Sequence, residues 1–227
     1  MKLGRGKNLF LATLCVVVLS AAGWAQLPCG VPGQIYCQPW DGGGNLSSSQ
    51  NDTNGFGNFA TVYDNFTLKT SADITSFHWV GGYFNPPAQG PITAWTLTFY
   101  NDAAGIPDLV NPPIFTLNSP GTAGETFINA NSGFPTYVYW LYFKSVDVGP
   151  GTYWASVVPD LGFPPQWGWA SGTGGDGASY QCFFGTCGAL GSDMAFALDQ
   201  TTPEPGTFVL LGTGILGLAG TIRRKLL

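Results

Sequence analysis

Histidine occurs once in these 227 residues, at His78, so a Ser-His-Asp relay has a single candidate base. There is no Gly-x-Ser-x-Gly elbow, no phosphate-binding glycine loop and no His-Glu-x-x-His pair, so the common signatures of nucleophilic, nucleotide and zinc-protease chemistry are missing. Basic residues are scarcer in the body than the total of eight suggests. Lys2, Arg5, Lys7, Arg223, Arg224 and Lys225 sit at the two ends, so residues 26–202 hold only Lys69 and Lys144 against twelve carboxylates, a net charge of −10. Phosphate binding needs a basic surface, which excludes nucleic acid as a partner and disfavours anionic membrane surfaces. No stretch between the ends carries a convincing helical period of apolar residues.

What the chain does have is two apolar ends of different grammar. Lys2, Arg5 and Lys7 precede the apolar run Leu9 to Leu19, and small residues follow at Ser20-Ala21-Ala22 and Gly23-Trp24-Ala25. That order predicts a secretory signal peptide over residues 1–25. At the other end Pro203-Glu204-Pro205 precede a run of seventeen residues, Gly206 to Ile222, and then Arg223, Arg224 and Lys225. As a helix this run reaches about 25 Å, just enough to cross a hydrocarbon core of roughly 30 Å. The basic stub favours the cytoplasmic side and leaves everything before Pro203 outside. The division expected is a signal peptide (1–25), a Gly/Ser/Asn-rich loop region (26–58), a β-sandwich domain (59–200) and a tail with a transmembrane helix (201–227).

The order of Pro203-Glu204-Pro205, a glycine-rich apolar span and a terminal arginine cluster resembles the PEP-CTERM sorting signal of Gram-negative bacteria. The resemblance implies that Pro203, Glu204, Pro205, Arg223 and Arg224 are read by an exosortase, a membrane transpeptidase. It would remove the tail and pass the protein to the cell surface or the exopolysaccharide matrix. A Leu-Pro-x-Thr-Gly motif is absent, and a GPI signal would end on its apolar tail instead of on charges.

Cys15 leaves with the signal peptide, so Cys29, Cys37, Cys182 and Cys187 remain, an even number in an exported domain. Four cysteines permit three pairings. Short local loops favour Cys29 with Cys37 and Cys182 with Cys187, each contributing roughly 2 to 3 kcal/mol. The spacings do not suit a zinc site.

Residues 38–58 are crowded with Gly, Ser, Asn and Asp and predict an extended surface loop. Beyond them, alternation predicts strands at 60–68, 74–84 and 92–100, where Trp95, Leu97 and Phe99 share a face opposite Thr96 and Thr98. Further strands are expected at 113–117, 125–130, 137–148, 151–158, 166–170, 179–184 and 193–198, with a tight hairpin at Gly149-Pro150-Gly151. About ten short strands separated by turns predict an all-β fold, an antiparallel β-sandwich of jelly-roll-like type. The segments Tyr63 to Thr67, Trp79 to Phe84, Phe99 to Asp102, Gly151 to Trp154 and Asp193 to Phe196 also resemble a β-sandwich domain common among PEP-CTERM proteins, one to which no activity attaches.

Three sets of residues are candidates for chemistry. His78 alternates with Phe77 and Trp79 and is expected to face outward as a polar strand position. Asp102 and Asp108 flank one turn, and an acidic exported domain could use them for calcium, although no Asp-x-Asp-x-Asp-Gly loop exists. Trp167 and Trp169 lie two apart on a strand, with Trp154, Trp140 and Tyr139 on neighbouring strands. Their rings either stack on the faces of a neutral polysaccharide or fill the core. The reading that follows is a non-catalytic exported surface or matrix protein needing no cofactor, contributing to biofilm or envelope structure. Two alternatives stay open: a carbohydrate-binding module using Trp167 and Trp169 with or without calcium, and a secreted glycoside hydrolase with a carboxylate pair.

Overall fold

The computed structural model describes residues 27–200 apart from 28, 131 and 132. The expected signal peptide (1–25) and the expected tail helix, with Pro203, Glu204, Pro205, Arg223 and Arg224, lie outside the described residues. Those described contain no helix. In chain order the strands are β1 (Gln34–Gln38), β2 (Leu46–Ser48), β3 (Gln50–Asp52), β4 (Gly57–Leu68), β5 (Ala72–Phe84), β6 (Ala94–Asn101) and β7 (Phe115–Pro120). They continue with β8 (Thr126–Asn129), β9 (Thr136–Val148), β10 (Gly151–Asp160), β11 (Gln166–Ala170), β12 (Ser179–Phe183), β13 (Thr186–Ala189) and β14 (Phe196–Gln200).

Two seven-stranded sheets are each built on one long strand. In the first sheet β9 covers one edge of β5, with β8 outside it. The other edge of β5 takes β14 along its first half and β11 along its second, and these carry β1 and β2 in turn. In the second sheet β12 and β13 lie on one side of β4, while β3 and β10 run end to end along the other, followed by β6 and β7. Pairing is antiparallel throughout except at Asp160 and Asn51, where β10 meets β3. The sheets stack face to face. Phe77, Trp79 and Tyr83 of β5, Tyr139 of β9, and Trp167 and Trp169 of β11 meet Phe66, Trp95, Leu97 and Phe99 of the second sheet in one buried cluster. Ring centroids lie 4.8 Å apart for Trp79 and Trp95 and 5.0 Å apart for Trp95 and Trp167, in the edge-to-face arrangement that the ring quadrupole favours.

All ten segments expected as strands overlap one, and Trp95, Leu97 and Phe99 share the buried face as their alternation predicted. Two expectations fail. Residues 38–58 are not a surface loop: they hold β2, β3 and the start of β4, and Ser48, Ser49, Gln50 and Asp52 are buried. The segment passes from the first sheet at β2 to the second at β3. Hydrogen bonds with backbone groups, in place of apolar side chains, hold it there. Ser49 Oγ donates to Val157 O at 2.6 Å, Gln50 Nε2 donates to Leu161 O at 2.8 Å, and the Trp167 N–H donates to Gln50 Oε1 at 2.8 Å. A strand stabilised in this way leaves no hydrophobic period to read.

Gly149-Pro150-Gly151 is likewise not a hairpin. β9 belongs to the first sheet and β10 to the second, so the chain changes sheets there. It makes the same change between β4 and β5, and the two corners adjoin, since Ala72 pairs with Val148 and Gly151 with Leu68.

Gln50→Leu removes the Gln50 partner of the buried Trp167 N–H and leaves the Leu161 carbonyl with the Thr53 N–H at 3.4 Å. An unsatisfied buried group costs about 1–3 kcal/mol, so the variant is expected to lose roughly 2 kcal/mol of stability in denaturant titration.

Candidate functional site

Trp167 and Trp169 share a face of β11, but that face points inward and both side chains are fully buried. Each indole N–H is satisfied inside, Trp167 Nε1 donating to Tyr139 Oη at 3.1 Å and Trp169 Nε1 to Ala195 O at 3.0 Å. Gly81 on the adjacent β5 makes room for the Trp167 ring, which occupies the place a Cβ would take. These two residues therefore do not form a sugar-binding surface. Trp154 and Tyr139 are also buried, and Trp140 is half-buried.

His78 faces away from Phe77 and Trp79, as its alternation predicts, on the outer side of the first sheet. It meets Asp199 Oδ2 at 2.9 Å, and Ser76 Oγ donates to the same oxygen at 2.8 Å. Ser76 Oγ lies 3.3 Å from His78 Nε2, the ring nitrogen that Asp199 already engages. A catalytic relay needs serine and carboxylate on opposite ring nitrogens, so these three residues are not arranged as one. Burial works to raise the Asp199 carboxyl, but hydrogen bonds from His78 and Ser76 and the proximity of His78 outweigh it and hold the group below the ordinary aspartate range. The cluster lines a cleft of about 470 Å³ together with Leu27, Val31 and Tyr142.

Asp102 and Asp108 are each engaged in fixing their own loop. Asp102 Oδ1 accepts from Trp154 Nε1 at 2.8 Å, and its carboxylate also receives the Gly105 N–H. Asp108 accepts from Asn111 Nδ2 at 2.7 Å and from two backbone N–H groups, bonds that hold its carboxyl below the usual range. Among the described residues no group of three His, Cys, Asp or Glu is placed to hold a metal. The cleft at Asp199 and another at Asp160 hold one carboxylate apiece, whereas glycoside hydrolysis needs a facing pair. The cysteines pair as Cys29 with Cys37 and Cys182 with Cys187.

The most conspicuous surface feature lies at one pole of the sandwich. Phe56 from the β3–β4 turn, Phe59 from β4, Phe163 from the loop before β11, and Phe183 and Phe184 from the β12–β13 hairpin line a cleft of about 240 Å³ with Asn85 and Gln166. Phe56 is 61% exposed, Phe184 59% and Phe183 41%, an unusual display for rings of this size. The Asp52 carboxylate binds two of the loops together, accepting the N–H groups of Asn54, Phe56 and Phe163 at 2.9, 2.8 and 2.7 Å.

The hairpin is braced by the Cys182–Cys187 disulfide and by the Phe184 N–H donating to Phe59 O at 2.7 Å. Its two central residues, Phe184 (φ 46°) and Gly185 (φ 80°), are both left-handed, as a type I′ turn requires. Such turns favour Asn at the first position, and a bulky residue there stores about 1–3 kcal/mol of backbone strain. Sequence reasoning passed over this cluster because its rings come from positions 56 to 184. The local signal was Phe183-Phe184-Gly185 enclosed by two cysteines, an apolar pair where a turn residue belongs.

The last described residue, Gln200, is anchored to the body by its N–H donating to Gly33 O at 2.9 Å and by its pairing with Ile74. Residues 201–225 carry the PEP-CTERM protein-sorting motif. PEP-CTERM signals mark proteins for export and cell-surface sorting and are processed by exosortase, a membrane enzyme. The motif thus follows directly on an interior strand of the first sheet. No curated protein and no solved structure matches the chain.

Burial works to raise the Asp52 carboxyl, but the N–H groups of Phe163, Phe56 and Asn54 outweigh it and lower its pKa. A depressed carboxyl contributes stability that is fully present above its unfolded value of about 3.9 and is lost as pH falls through the folded value. In an NMR acid titration the Phe56 and Phe163 amide resonances should move together, with a midpoint below about 3.9. Asp52→Asn should abolish that common step.

Proposed function

We propose that this chain is a non-catalytic protein delivered to the surface of a Gram-negative cell or its extracellular matrix. Its working part is the two-sheet, jelly-roll-like body, and both ends serve delivery. The carrying observation is the PEP-CTERM motif at residues 201–225, joined without a spacer to the end of β14. In this reading the signal peptide over residues 1–25 starts export, and a helix within the tail holds the body at the membrane. Exosortase then reads Pro203, Glu204 and Pro205 and releases or transfers the body. The arrangement of His78 and Ser76, both engaged with Asp199 Oδ2 and with the serine on the same ring nitrogen as the carboxylate, supports a structural role for the one histidine.

The test is the mass and location of the mature product in a bacterium that makes an exosortase. The expected product is at the cell surface and lacks both the N-terminal 25 residues and the tail. Pro203→Ala with Glu204→Ala should retain the tail, with a matching increase in mass. A cytosolic product beginning at Met1 and ending at Leu227 overturns the proposal.

A further inference from the structure

We infer that the phenylalanine cleft formed by Phe56, Phe163, Phe183 and Phe184 is a docking site for a neutral polysaccharide chain. The inference rests on surface display for its setting, and its test is independent of that display. Three observations carry it. First, Phe56, Phe183 and Phe184 are exposed beside the half-buried Phe163 and tilted against one another, Phe56 with Phe184 at 5.8 Å and 82° and Phe183 with Phe184 at 5.0 Å and 86°, so ring faces of several orientations line one concavity. A ring face is electronegative and attracts the polarised C–H face of a sugar.

Second, no charged side chain lines the cleft; its exposed polar member is the amide of Asn85, since Gln166 is buried with its Nε2 donating to Ser48 Oγ at 2.6 Å. Amides both donate and accept, which suits hydroxyls. The body's two lysines lie away from the cleft, Lys69 in the β4–β5 corner and Lys144 on β9 between the residues paired with Ile74 and Ser76. A ligand that must be neutral and carry both apolar faces and hydroxyls is a sugar chain. An anionic polymer would meet a body of net charge −10 with no cation at the contact.

Third, Phe184 is held left-handed where Asn or Gly would be relaxed, a local cost that folding alone does not require. The orientation agrees. Gln200 pairs with Ile74 near the start of β5, whereas Phe84, at its far end, pairs with Gln166 of the cleft. At about 3.3 Å per residue the cleft stands roughly 30 Å along β5 from Gln200, the last described residue. A body held by its tail presents the cleft outermost.

The experiment is native affinity electrophoresis of the full chain in detergent, in gels containing hydroxyethylcellulose, dextran or starch, with alginate as the anionic control. Wild type should be retarded by at least one neutral glucan and not by alginate. Phe184→Asn should weaken retardation at least ten-fold while its melting temperature stays equal or rises, because the turn is relieved. Phe56→Ser should weaken it similarly, and Phe127→Ser, an exposed ring on β8, should leave it unchanged.

Retardation by none of the three glucans overturns the inference, as does equal retardation of Phe184→Asn and wild type. So does a concentration-dependent dimer in sedimentation velocity that Phe184→Asn abolishes, which would assign the cleft to a second copy. A cytosolic product that still binds glucan through Phe184 would remove surface display and leave the cleft's role standing.

Discussion

The body depends on filling the gap between two sheets with aromatic rings packed against one another. Trp79, Trp95, Tyr139 and Trp167 form the centre of that layer, with stacked or edge-to-face contacts running across both sheets. From it a hydrogen-bond chain leads outward: Trp167 Nε1 to the Tyr139 hydroxyl, and the hydroxyls of Tyr139 and Tyr83 to Glu125 Oε1. Burial, together with Glu125, pushes both phenols well above their ordinary range, so they remain donors at any physiological pH. The Nε1 atoms of Trp79 and Trp95 have no acceptor, which shows how far ring packing takes priority over polar pairing at this point.

The central strands were legible in sequence because alternation reports half-buried strands directly. What alternation does not report is which face meets the other sheet. For Trp167 and Trp169 the shared face followed from their spacing, but its direction was fixed by a second sheet over a hundred residues away in places, and it ran inward. The disulfide partners were legible because short loops close readily, and the structure has both pairs.

β2 and β3 were illegible for a different reason. Their burial is satisfied by serine and glutamine hydroxyls and amides binding backbone groups, so the composition that usually marks a loop here marks an inter-sheet tie. The corner at Gly149-Pro150-Gly151 read as a hairpin because local turn chemistry is blind to whether the departing strand rejoins its own sheet. The phenylalanine cleft is assembled by topology from three separate loops and β4, and only its Cys-enclosed hairpin leaves a local trace.

Among the described residues β14 is the last strand in the chain and yet lies inside the first sheet, between β1 and β5. The sheet therefore cannot close until residues 196–200 arrive, and with them the start of the sorting motif. Until then β1 has no partner and the first half of β5 has one edge uncovered. A chain cut anywhere before residue 196 would lack this bridge and leave β1 without its neighbour in the sheet.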